Sequence, residues 1–141
     1  MNVAFFLKPK SEVRHLYSDT PLPQAMAFMQ RHGYSAVPVI DRDGRYVRTV
    51  REGDFLSFLA RTDGENLHLA DARAAEKCRL SDILPQQDRN PPCHISVPVE
   101  RLLKSTTDQN FVPIVDDRGV FIGIVTRRAV ISYLLNPDGA R

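Results

Sequence analysis

Tryptophan is absent from this 141-residue chain, and cysteine occurs only twice, as Cys78 and Cys93. The two form no Cys-x-x-Cys pair, so neither a thiolate clamp for zinc nor a redox dithiol is expected. The four histidines, His15, His32, His68 and His94, lack metal-ligand spacing, and no metal site is expected. No Gly-x-x-x-x-Gly-Lys stretch is present, which argues against phosphate-loop chemistry. An excess of one charge is missing too. Lys and Arg number 19, Asp and Glu 17, and the net charge is +2. The arginines are scattered among acids, with no basic helix and no aromatic RNA-reading strand. The chain is therefore expected to bind neither nucleic acid nor an anionic membrane. Long apolar runs are also lacking. The opening Met1-Asn2-Val3-Ala4-Phe5-Phe6-Leu7 is cut short by Lys8 and Pro9, far below the length of a membrane span or a signal core. It reads as a segment that packs on the domain or on a second subunit. With no secretory leader and no cysteine framework, a reduced, cytoplasmic protein is the simplest expectation. Catalytic pairings are missing as well. Cys93 and His94 are neighbours, and a strand would send them to opposite faces, which spoils direct nucleophile–base contact. No catalytic residues, and no enzyme, are expected.

What the chain does contain is a repeat. Residues 37–50 read VPVIDRDGRYVRTV and residues 112–125 read VPIVDDRGVFIGIV. The offset is 75 (Pro38 to Pro113), without a gap. Five of the 14 positions are identical, and four more exchange Val for Ile or Tyr for Phe. A duplication of this kind implies two similar units that pack together and leave clefts between them. Each half is about 70 residues, too few to bury a generous core alone.

The halves have one order of elements. Leu22, Ala25, Met26 and Met29 follow helical spacing, with Pro21 and Pro23 at the start and Gly33 as the stop. Val37 to Ile40 reads as a buried strand. Asp41-Arg42-Asp43-Gly44 is a turn, and Tyr46 to Val50 is the returning strand. Phe55, Leu56 and Leu59 mark a second helix from near Glu52. The second half repeats this. Val99, Leu102 and Leu103 follow Pro98, Phe111–Val115 and Val120–Val125 form a hairpin around Asp116-Asp117-Arg118-Gly119, and Ala129, Val130, Tyr133 and Leu134 lie on the last helix. Short strands are expected near Leu16-Tyr17 and His94-Ile95. The divisions are an N-terminal segment 1–14, a first unit 15–62, a polar linker 63–91, a second unit 92–136 and a tail 137–141. The linker holds Gly64, Asp71-Ala72-Arg73 and one apolar knot, Leu80–Leu84, read as a single helical turn.

The chain resembles a pair of CBS (cystathionine-β-synthase) domains over about residues 10–135. The marks are Tyr34-Ser35-Ala36-Val37-Pro38-Val39, its partner Asn110-Phe111-Val112-Pro113-Ile114, and both Asp…Gly hairpins. Arg51-Glu52-Gly53-Asp54 and Gly123-Ile124-Val125-Thr126-Arg127-Arg128 complete the set. Phe6-x-x-Pro9-Lys10-x-x-Val13 is similar to stand-alone bacterial CBS proteins. Some relatives of that kind bind cyclic di-AMP and carry a Thr-Arg-Arg where residues 126–128 lie here. The resemblance implies an α/β (α+β) fold of two βαββα units related by a pseudo-twofold, packed as one Bateman-type module. It implies a flat homodimer joined through helices, and a regulatory module that binds an adenine nucleotide between its units and signals to a partner protein. AMP, ADP, ATP and cyclic di-AMP all stay open, as a regulatory ligand rather than a required cofactor. The family's Thr/Ser-x-x-Asp is split here: the first half keeps Asp54 behind Arg51, and the second keeps Thr126 ahead of Ala129. The alternative is a ligand-free dimerisation and docking module with degenerate sites.

Arg51, Arg127 and Arg128 sit where helices should begin. Positive charge there opposes the helix dipole by about 0.3–1 kcal/mol, and a bound phosphate would reverse the sign of that term. Asp54 is the candidate for the ribose hydroxyls, since a carboxylate accepts from both at once; otherwise it is an acid favoured by the first turn. Thr126 is an N-cap that is also able to meet a ligand. Ser35, Ala36, Val37 and Pro38, with Asn110, Phe111, Val112 and Pro113, would line adenine slots. Arg14, His15 and Leu16 would close the cleft of the first half. Pro92, Cys93 and His94 would do so in the second.

Overall fold

A computed structural model describes residues 2–63, 66–69 and 75–137. Gly64, Asp71-Ala72-Arg73 and most of the expected tail lie outside the described residues. Two compact units divide the chain. One is His15–Arg42 with Val47–Asp88. The other is Met1–Arg14, Asp43–Tyr46 and Arg89–Arg141.

The first unit is built on strand β2 (Leu16–Tyr17), helix α1 (Leu22–His32), strand β3 (Ala36–Ile40), strand β4 (Tyr46–Arg51) and helix α2 (Glu52–Leu59). The sheet order is β2-β3-β4, with β2 parallel to β3 and Leu16 opposite Val39. Pro21 caps α1, and Gly33 closes it in the left-handed conformation, at φ 65°. Leu22, Ala25 and Met29 of α1 pack on Val37, Val39, Val50 and Phe55. The stretch read as linker supplies Ala75, Leu80 and Ile83 to the same core. Its apolar knot is a single 3-10 turn, Leu80–Asp82. Leu80 N–H donates to Thr20 O (2.8 Å) and Leu22 N–H to Cys78 O (2.9 Å), so this stretch runs beside the start of α1. A hairpin that the sequence pattern did not announce, β5 (Ala60–Asp63) with β6 (Asn66–Leu69), follows α2.

In the second unit come β1 (Lys8–Pro9), β7 (Cys93–His94), α3 (Val99–Asp108), β8 (Phe111–Val115), β9 (Phe121–Thr126) and α4 (Arg127–Leu135). The sheet order is β1-β9-β8-β7. The extra strand β1 comes from the opening segment and pairs antiparallel with β9, Lys8 opposite Ile124 and Pro9 opposite Gly123. Val3 and Phe6 join Leu102, Val112, Ile114, Val125 and Val130 in the core. Full burial of side chains of that size contributes about 1.5–3 kcal/mol each. Phe5, Phe6 and Tyr133 stack edge-on at 5.1–5.5 Å. Gly123 has φ 155°. A Cβ there would overlap Lys8 O and lie 2.8 Å from Leu7 Cδ1, so β1 needs glycine at this point.

Strands β3 and β4 recur as β8 and β9 at the 75-residue offset, as do the starts of α2 and α4. Strand β2 and the start of α1 recur at 77 (Leu16 to Cys93, Leu22 to Val99). The two-residue change of phase falls at the end of the first helix, where Gly33 closes α1 and Gln109 caps α3. The last strand was expected to begin at Val120; it begins at Phe121, because Val120 pairs instead with Arg45. Around that bridge the two hairpin turns exchange hydrogen bonds. Tyr46 N–H donates to Gly119 O (3.0 Å) and Phe121 N–H to Gly44 O (2.8 Å), while Arg45 Nε donates to Arg118 O (3.2 Å).

Candidate functional site

Each unit carries the same corner between a strand and the helix that follows it. Glu52 N–H, at the start of α2, donates to Ser35 O (3.2 Å), and Arg127 N–H, at the start of α4, donates to Asn110 O (2.9 Å). These are equivalent bonds, since both donor and acceptor shift by 75. The corner places the residue before β3 or β8 beside a helix start, which carries positive partial charge.

In the first unit the corner gathers Ser35, Ala36, Arg51 and Asp54. Arg51 is the N-cap of α2. Its backbone N–H donates to Asp54 Oδ2 (2.8 Å), so the acid lies where the dipole favours it. Val37 and Pro38 are buried. Leu16, expected as a cleft wall, is buried in the core, because its side chain faces the cluster of α1 and β3 from the edge strand β2. His15 stacks edge-on against Tyr17 at 5.7 Å. Arg14 is exposed, and falls in the other unit.

The second unit gathers Asn110, Phe111, Thr126, Arg127 and Arg128, with Phe111 opposite Thr126 across the ladder. Val112 and Pro113 are buried. Thr126 caps α4, its Oγ1 accepting from Ala129 N–H at 3.0 Å. The guanidinium of Arg127 turns back onto the end of α3. Nε donates to Thr106 O (2.8 Å) and Nη2 to Thr107 O (3.3 Å), where helix carbonyls carry negative partial charge. The residue expected to meet phosphate thus joins α4 to α3. Arg128 is exposed, and it makes no hydrogen bond or ion pair among the described residues. Gln109 Nε2 donates to Pro91 O (3.3 Å); its Oε1 is buried without a partner among the described residues.

His94 does not join this corner. The parallel register sets it opposite Val115, at the far end of β8 from Phe111, roughly 13 Å away at about 3.3 Å per residue. There Nδ1 accepts from Ser96 N–H (3.0 Å) and Nε2 meets Asp117 Oδ1. With Nδ1 an acceptor, Nε2 carries the proton and donates. Ser96 Oγ lies 2.7 Å from Nδ1. This Ser–His–Asp cluster ties a turn. In the first unit the corresponding positions hold Asp19, Tyr17 and Arg42, with Arg42 Nε donating to Asp19 Oδ2 (2.9 Å) and its guanidinium 4.0 Å from the Tyr17 ring centre. Two neighbouring carboxyls titrate low. Asp116 is held below its ordinary value by N–H donation from Val120 and Arg118, and Asp19 by the hydrogen bond from Arg42.

The helices also form a groove in each unit. Met26, Met29, Gln30, Glu52, Phe55 and Leu56 line one of about 310 Å³ on α1 and α2. Leu103, Thr106, Arg127, Val130, Ile131 and Leu134 line one of about 340 Å³ on α3 and α4. With Thr107 the second lining is complete, and each residue of the first has its counterpart there, at 77 for the first helix and 75 for the second; Leu134 alone has none. Large apolar side chains stand open there: Leu56 is 61% exposed, Ile131 48% and Leu134 63%. No helix among the described residues is long and apolar enough to cross a membrane.

Comparison with known proteins agrees with the duplication. A family model described as CBS domain matches residues 7–61 and 81–136. The Cyclic di-AMP receptor B of Bacillus subtilis (strain 168) is 26% identical over 132 residues, which span 94% of this chain and 85% of that protein. The crystal structure of the CbpB protein of Listeria monocytogenes in complex with c-di-AMP superposes with a TM-score of 0.81 at 22% identity, over 99% of this chain and 98% of that one. The structure of CBSX2 in complex with AMP gives 0.71 at 21%, over 96% and 97%.

Proposed function

The chain belongs to the CBS domain family, and from that premise we propose a non-catalytic, cytoplasmic regulatory module that reversibly binds an adenine nucleotide and signals through a partner protein. The observation that carries this reading is the strand–helix corner built twice, each with an arginine at its helix start. A phosphate at such a corner meets backbone N–H groups, the helix dipole and a guanidinium together. Arg128 is the first choice for phosphate and Arg51 the second, with Arg127 contributing charge while it grips α3. Asp54 accepts from ribose hydroxyls. The base lies against the backbone of Ser35–Pro38 or of Asn110–Pro113. Arg14 and His15 serve as flanking contacts; Leu16 and His94 have no part in the assignment.

Cyclic di-AMP leads among the nucleotides. The Thr126-Arg127-Arg128 run and the receptor named among the relatives favour it, while Asp54 suits a free ribose, as in AMP, ADP or ATP. The equivalent grooves with open leucines and isoleucine support a homodimer through the helices. A second reading, a docking module without ligand, is favoured by the bonds that Asp54 and the Arg127 guanidinium make within the chain.

A thermal-shift panel of cyclic di-AMP, AMP, ADP and ATP separates the two. A ligand at 100 times its dissociation constant adds about 2.7 kcal/mol, and a shift with cyclic di-AMP is expected. A flat panel from a folded chain overturns the nucleotide reading in favour of docking alone.

A further inference from the structure

We propose that two copies of this chain pair unlike faces, with the α1–α2 groove of one copy against the α3–α4 groove of the other. This rests on the homodimer reading above and adds the orientation.

The two grooves are alike in volume and in their largely apolar lining, so apolar burial alone does not choose between pairing like with like and like with unlike. Charge does. Glu52 is the one charged residue lining the first groove, and Arg127 the one lining the second. They occupy equivalent positions, 75 apart. The helices behind them follow suit: α2 holds Glu52 and Asp54 and no base, while α4 holds Arg127 and Arg128 and no acid. Arg31 and Arg51 lie outside the lining of the first groove. The bonds from Arg127 go to the neutral carbonyls of Thr106 and Thr107, so its charge is undiminished.

Pairing like faces would set Glu52 on Glu52 and Arg127 on Arg127, each beside open Leu56 or Ile131. Pairing unlike faces sets a carboxylate against a guanidinium. Apolar contact supplies the affinity, and charges of this kind choose the register and penalise the wrong one. A twofold dimer makes the chosen contact twice.

The solution mass is measured first, by light scattering on the full chain; a dimer is expected, and a monomer overturns both the homodimer reading and this one. Leu56→Cys and Ile131→Cys variants, on chains tagged to different lengths, are then oxidised singly and as a mixture, with the unaltered chain as control. Both positions are open to solvent, so folding is preserved. The mixture is expected to cross-link between the two tags, with little product from either variant alone. A dimer in which L56C links to L56C overturns the orientation and leaves the homodimer standing. Charge reversal gives an independent sign. E52K should weaken the dimer about tenfold at low salt, by setting like charges together. A tighter E52K dimer would mean that acids faced each other and that the proposal is wrong.

Discussion

Replacing Gly123 by alanine should detach the opening segment from its sheet. Gly123 pairs with Pro9 at the edge of β9, and the space a methyl group would take is filled by Lys8 O and Leu7 Cδ1. The carbonyl is backbone and has no rotamer to escape into, so β1 itself must move. Overpacking of this kind costs about 1–3 kcal/mol. The left-handed φ adds roughly 1–2 kcal/mol for a residue with a Cβ. A loss of about 3 kcal/mol is expected. With a urea m-value of about 2 kcal/mol/M, the midpoint falls by roughly 1.5 M. Gly44→Ala is the internal control. Its φ is 85°, yet the added Cβ meets only Val120 Cγ1 at 3.6 Å and Lys10 Nζ at 3.9 Å. Only the backbone term of about 1–2 kcal/mol applies there. Equilibrium urea unfolding of the three chains, with proteolysis of residues 2–14 as a second probe, reads both terms. If G123A and G44A lose the same stability, or if the segment stays protected in G123A, the close approach of β1 does not govern this edge.

Two adjacent arginines should separate cleanly. Arg127→Ala leaves the carbonyls of Thr106 and Thr107 without their donors and should cost about 1–3 kcal/mol in denaturant; Arg128→Ala, on an exposed side chain, should stay within about 0.5 kcal/mol and instead weaken cyclic di-AMP binding in a titration. Acid should loosen the second hairpin turn: the Asp116 carboxyl sits below its ordinary value because Val120 and Arg118 donate to it, so its contribution is present above the unfolded-state value and is lost as pH falls through the lower, folded one. Asp116→Asn should flatten that part of the stability profile below about pH 4, as followed by unfolding titrations at successive pH values.

The 14-residue repeat carried most of the architecture. Wherever the offset of 75 holds, strand, turn and helix start fell within a residue of where the pattern placed them, because both copies satisfy the same alternation and the same corner. The strand β1 was not legible. Lys8-Pro9 has no periodicity, and only the vacancy of a side chain at Gly123, more than a hundred residues away, admits it. The β5–β6 hairpin was hidden because its alternation, Leu67 and Leu69 between polar neighbours, runs over only four residues inside a stretch otherwise polar. At the site, Thr126 was readable as a cap because its partner is three residues away. The grip of Arg127 on α3 was not, since it depends on where a different helix ends. The place of His94 was not readable, because it depends on the parallel register that sets it opposite Val115, and that register leaves no mark in the repeat. The repeat alone does not reveal which carbonyl faces which strand.

The reciprocal bonding of the hairpin turns has a consequence for how such a chain arises. Gly44, Arg45 and Tyr46 bond to Gly119, Val120 and Phe121, and each member of one trio is the 75-residue counterpart of a member of the other. The contact is self-complementary: either tip offers the donor and the acceptor that the other requires. A peptide with a single copy of the motif already holds both halves of that handshake, at the mercy of dilution. Joining two copies in one polypeptide replaces dilution by an effective concentration in the millimolar range, after which either copy is free to exchange Asp54 for Ala129, or Glu52 for Arg127, without parting from its twin.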